Sequence, residues 1–191
     1  MDVFLAICQG LGLALAAGVG GMLAVLLMSV LAHVDVGWDL DGTDFAWFEA
    51  SWFIPILFGL NVVAYLYASG RLPKEAGRGV LLGLVTILGA VVFAGSMAAE
   101  TSTWWPGLAL GAAAAALTFL LADGFLAGAT ARSEETAGTL NLIVTGAAVA
   151  LVFLALFLPP ASILAAIGLV VLAAGRRRRA GEKYEGLRSL R

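Results

Sequence analysis

The sequence predicts an all-α polytopic membrane protein of six transmembrane helices, and three observations carry that expectation. Of the 191 residues, 61% are hydrophobic and only 13% are charged, too few charges to clothe a water-soluble domain of this size. The apolar residues gather into charge-free runs. A helix of about 20 such residues crosses a bilayer, because backbone polar groups in lipid must be satisfied within the segment. The basic residues fall only in alternate connections, which is how orientation sorts them among short loops.

The runs are 3–32, 50–70, 79–99 and 101–122, followed by 136–175. The last holds about 40 residues, roughly 60 Å of helix, so it must cross twice with Pro159-Pro160 as the turn. The sixth span, 161–175, is short and can borrow the aliphatic stems of Arg176 and Arg177. With the N-terminus inside, the inner connections hold all 11 basic residues: Arg71, Lys74 and Arg78, then Arg132, then Arg176, Arg177, Arg178, Arg179, Lys183, Arg188 and Arg191. The outer connections hold Asp35, Asp39, Asp41, Asp44, Glu49 and Glu100. All 5 tryptophans fall at the outer edge and the 3 tyrosines at the inner one, as interfacial aromatics do. Both termini are therefore expected in the cytosol. Met1-Asp2-Val3 lacks the basic start of a signal peptide, which favours a retained first span. Residues 1–175 read as one transmembrane domain with an outer acidic and aromatic loop at 33–50, and 176–191 as a basic cytoplasmic tail.

The two halves carry an ordered likeness. Residues 10–17 (GLGLALAA) read like 107–114 (GLALGAAA), 59–63 (GLNVV) like 139–143 (TLNLI), and 81–95 like 163–175. Three-span repeats at 3–99 and 101–175 would enter from opposite faces, the inverted arrangement common in secondary transporters. Shared Ala/Gly/Leu/Val composition is the other source of such a likeness.

Seven residues are candidates for a substrate or ion pathway. The first run, about 30 residues and roughly 45 Å of helix, exceeds a core of about 30 Å, so it tilts or breaks. Gly18, Gly20 and Gly21 are where it could unwind and offer backbone groups to a ligand. The same glycines could serve close packing, since Gly10, Ala14 and Gly18, and likewise Gly12, Ala16 and Gly20, stand at small-xxx-small spacing. Asn61 and Asn141 occupy matching repeat positions. Asn61 lies about 13 Å of helical rise beyond Trp52, near the midplane, where an amide needs a substrate, an ion or an interhelical partner, and Gln9 could be that partner. Asp123 is the one acid within an apolar run, a candidate for proton or cation coupling. Counting about 28 Å from Trp104 sets it near the inner interface, solvated or facing Arg132.

Other features point away from catalysis. One cysteine (Cys8) and one histidine (His33) exclude an internal disulfide and argue against a zinc site. The segment 39–43 spells DLDGT, the signature of haloacid-dehalogenase-like phosphatases, yet it sits between two spans with no α/β domain after it, so it reads as coincidence. The loop also lacks the spacing of an EF-hand. Phe45, Trp47, Phe48, Trp52 and Phe53 suit a turn seated at the headgroups. Arg176, Arg177, Arg178 and Arg179 suit contact with anionic lipid rather than nucleic acid. No hydrolase, P-loop or redox motif occurs, so no enzyme, metal or cofactor is expected.

The segment from Gln9 to Gly18 (QGLGLALAAG) and the segment from Asp41 to Phe53 (DGTDFAWFEASWF) resemble a bacterial family of small multi-pass membrane proteins known as a domain of unknown function. The resemblance implies a bacterial cytoplasmic membrane and no particular substrate. The expected function is a small transporter or lipid-translocase-like protein in contact with membrane lipids. The alternative is a non-transporting scaffold or accessory subunit that assembles with itself or a membrane partner through its small-residue faces.

Overall fold

The computed structural model describes residues 3–68, 74–130, 134–171 and Gly175. The tail arginines Arg176, Arg177, Arg178 and Arg179, together with Arg71 and Arg132, lie outside the described residues. Regular structure among those described is helical: α1 (Val3–His33), a 3₁₀ turn (Ala46–Phe48), α2 (Phe53–Ala68), α3 (Lys74–Ala98), α4 (Trp105–Thr130) and α5 (Glu134–Phe157), then α6 (Ala161–Val171). Four helices are long and apolar enough to cross a membrane: α1, and the stretches Gly77–Ala98, Trp105–Gly128 and Gly138–Phe157 of α3, α4 and α5.

Local chemistry sets the boundaries. Pro55 and Pro106 stand in the first turns of α2 and α4, where a missing N–H costs nothing. Pro159 and Pro160 end α5, and the N–H of Ser162 closes the turn on the Pro159 carbonyl at 3.0 Å. At the end of α1 the N–H of Val36 donates to Leu31 O at 2.9 Å and that of Asp35 to Ala32 O at 3.0 Å. Asp35 is left-handed at φ 53°, so this is a Schellman cap with an aspartate in the glycine position.

Helix α1 departs from the expected single span. Gly21 has φ 57° and ψ −140°, a region that residues with a Cβ hardly enter, and the chain reverses there. The two arms, 3–20 and 22–33, form a hairpin. A straight helix would hold Gln9 and His33 about 36 Å apart, yet Gln9 Nε2 donates to the carbonyl of Gly37 at 2.9 Å. Gly12 packs against Ala155 and Ser162 while Gly37 packs against Leu156, so both outer ends of the hairpin lie beside the same end of α5. That end also carries the aromatic loop.

Two expectations are corrected by this reversal. The start of α1 lies at the aromatic end, not at the opposite, basic end. Residues 1 and 2 carry no lysine or arginine, so the sorting of basic residues placed the loops without constraining the N-terminus. The first and fourth members of the supposed repeat are also not equivalents, because α4 runs unbroken from Trp105 to Thr130 while α1 turns back.

The hairpin is the centre of the molecule, packed on α3, α4 and α5, with α2 against its flank. Leu13, Val25 and Met28 of the hairpin are fully buried with Val85, Val92 and Val152. Its glycines make the fit, and the two stripes face different neighbours: Gly10 meets Phe93 and Gly18 meets Thr118, whereas Gly12 meets Ala155 and Gly20 meets Ala148. Close backbone approach of this kind replaces the hydrophobic drive that lipid removes. The outer faces of α4 and α5 expose Leu117, Leu120, Leu142, Ile143 and Phe157.

Candidate functional site

Seen from the basic end, the hairpin tip forms the floor of a cavity of about 550 Å³ between α1, α2, α3, α4 and α5. It is lined by Gly18, Gly20, Gly21, Asn61, Asp123 and Asn141, six of the seven residues that the sequence singled out. Irregular backbone at such depth is tolerated where it lines a cavity, and the Gly21 reversal does so.

The glycines divide the two roles between them. Gly21 makes the break. Gly18 makes the packing: a Cβ there would stand 2.5 Å from the carbonyl of Ala115 and run into Thr118. The Thr118 hydroxyl is turned onto its own helix, donating to Ala114 O at 2.7 Å. Asn61 locks the tip in place, since its Nδ2 donates to Met22 O at 2.9 Å and to Leu57 O at 3.1 Å. The interhelical bond expected of Asn61 therefore exists, but with the first residue after the break rather than with Gln9. Asn141 is exposed on α5 toward the same space.

The mouth is polar. Arg78 on the first turns of α3 meets Asp123 of α4 at 2.7 Å, and both stay in contact with water. Asp123 is thus paired across the mouth with Arg78. Tyr65 and Tyr67, on the last turns of α2, stand at the same level and line the cavity. Gly77 leaves room for the Tyr67 ring. Deeper walls are apolar: Met22, Leu81, Val85 and Phe119. Arg78, Tyr65, Tyr67 and Phe119 were not among the residues singled out. The signal for Arg78 was present, since counting puts it and Asp123 at one depth on two helices.

Gln9 belongs elsewhere. It lines a second cavity, about 410 Å³, at the aromatic end, with Asp35, Asp39, Asp41, Thr43, Ser96 and Glu100. The reason is the fold-back, which carries the start of α1 to the loop. The loop itself is a compact cap. Ser29 Oγ donates to Phe48 O at 2.6 Å, the His33 ring N–H donates to Glu49 O at 2.8 Å, and Phe45 meets Trp104 edge-on at 5.2 Å. The DLDGT segment is a turn within this cap: Asp39 Oδ1 accepts from the N–H of Asp41 at 2.8 Å and Thr43 Oγ1 donates to Leu40 O at 2.8 Å, with Gly42 at φ 76°. Carboxylate oxygens of Asp39, Asp41 and Glu49 come within 4.8 Å of one another. Burial pushes the Glu49 carboxyl above its ordinary range, the charges of Asp41 and Asp39 add to this, and the N–H of Leu40 on its Oε2 works against it.

Comparison with curated proteins and with solved structures finds no match. A family model does match, over residues 7–179, which takes in both cavities and every described helix except the first four residues of α1. The chain belongs to that family, a domain of unknown function (DUF4126).

Proposed function

We propose that the protein is a small transporter of the lipid-translocase type, with its substrate site at the tip of the α1 hairpin. The observation that carries this reading is a helix broken at Gly21 over a cavity of about 550 Å³, into which Asn61, Asn141 and Asp123 are gathered from three further helices. Broken helices at depth are how transporters offer backbone to a substrate. In this reading α2 to α6 cross the bilayer, α1 re-enters from the face of the aromatic loop, and the basic end faces the cytosol. The N-terminus then lies outside and the C-terminal tail inside, where its arginines meet anionic lipid. A bacterial cytoplasmic membrane is the location that the family resemblance implies.

Purified protein reconstituted into vesicles tests the proposal. Transbilayer movement of fluorescent lysophosphatidylcholines, read by quenching of the outer leaflet, should accelerate over empty vesicles. Asn141→Leu should abolish the acceleration with no loss of folded protein, because that side chain makes no hydrogen bond to a described residue. Movement at the rate of empty vesicles would refute transport of these lipids, and recovery from native membranes with a stoichiometric partner would then favour a scaffold.

A further inference from the structure

Taking that cavity as the substrate site, we infer that its ligand is a single-chain zwitterionic amphiphile, with the head held between Arg78 and Asp123 and the chain laid toward the hairpin tip. From Arg78 to Val85 the wall runs about 10 Å along α3. Over that depth the lining changes from charged to apolar, ending on Met22, Val85 and Phe119. The amide nitrogen of Asn61, the polar group at the floor, is already given to the carbonyls of Met22 and Leu57. Along the wall of Leu81, Val85 and Phe119 a sugar, an amino acid or an ion would lose its water without gaining partners. A hydrocarbon chain loses nothing.

The mouth then selects the head. Arg78 and Asp123 are 57% and 34% exposed at their 2.7 Å contact, so the pair is well solvated and opens to a competitor. An anionic head would take Arg78 and leave Asp123 unpaired beside it. A cationic head would do the reverse. A head with both charges gives each residue a partner of opposite sign and leaves none stranded. A cavity of about 550 Å³ matches one drug-sized ligand, which suits one chain and not two.

Three amphiphiles with the same twelve-carbon chain and phosphocholine, sulfate or trimethylammonium heads provide the test. Binding to the full chain is read by native mass spectrometry from a nonionic detergent, and folding is followed by thermal melting. The wild type should bind one phosphocholine amphiphile at least tenfold more tightly than either of the others. Arg78→Gln should shift the preference to the trimethylammonium head and Asp123→Asn to the sulfate head. These opposite shifts are ones that a merely loosened fold would not produce. Equal binding of the three heads by the wild type, or the same order of preference in both variants, would overturn the inference. Selective binding without lipid movement in vesicles would leave it standing and remove only the transport reading. If one variant fails to melt cooperatively, the exchange Arg78→Asp with Asp123→Arg keeps the pair and must retain the phosphocholine preference.

Discussion

The reversal at Gly21 can be tested by putting a Cβ on it. At φ 57° and ψ −140° a side chain costs about 1–3 kcal/mol in backbone strain, roughly 5- to 150-fold in the population of the hairpin relative to competing forms. A Cβ at Gly21 would meet nothing within 4 Å, so the cost is purely one of backbone, and Gly21→Ala and Gly21→Ser should be equally damaging. Gly59→Ala is the contrast. Its Cβ also meets nothing within 4 Å, but it lies within α2, where alanine gains up to about 1 kcal/mol over glycine. Spin labels at Phe4 and Val34, both exposed, in a Cys8→Ala background report the geometry. Their backbones should lie under about 25 Å apart in the hairpin and near 45 Å in a straight helix. Gly21→Ala should lower the melting temperature and add a long-distance population. A wild-type distance near 45 Å would refute the fold-back, and a Gly21→Ala protein as stable as the wild type would refute the argument from backbone strain.

Further outcomes follow from single contacts. Gly18→Ala should destabilise by about 1–3 kcal/mol through overpacking, and adding Thr118→Ala should recover only part, since the Ala115 carbonyl stays in the way; denaturation of the two variants checks this. Asn61→Leu should cost about 0.6 kcal/mol and at most about 1.7, the range of membrane hydrogen bonds. It should also raise hydrogen exchange at the tip before it lowers the melting temperature. Ser162 Oγ is buried without a partner among the described residues, so Ser162→Ala should be neutral or stabilise by about 1 kcal/mol in the same assay. A carboxyl raised by burial, as in Glu49, binds its proton more tightly folded than unfolded. Its contribution is complete below the ordinary glutamate value of about 4.3 and is lost as pH rises through the raised one. Melting across that window should show the loss in the wild type and not in Glu49→Gln.

Much of the site was legible because depth and residue size can be counted along a helix. The rise from Trp52 put Asn61 deep, the count from Trp104 put Asp123 near the mouth, and the spacing of Gly18 and Gly20 announced close packing. The fold-back was not legible, because hydropathy reports how apolar a residue is and not the sign of its φ. Gly20-Gly21 is as compatible with a packed straight helix as with a reversal. The N-terminus, bare of basic residues, carried no topological information, so Gln9 was sought at the wrong end. Asp123 is solvated, as one of its two readings had it, and Arg132, the other, lies outside the described residues. Arg78 was missed because it neighbours Asp123 in depth and not in sequence.

The position of α1 bears on how the protein is made. Its arms leave the ribosome before the partners that hold them, α3, α4 and α5. Until those partners follow, α1 is an apolar segment of 31 residues with α2 alone beside it, long enough to thread a bilayer from end to end. The contacts with α3, α4 and α5 predict that the hairpin settles only after those helices are made. Chains truncated after α2 should leave Val3 on the face opposite to the one it occupies once α3, α4 and α5 are in place.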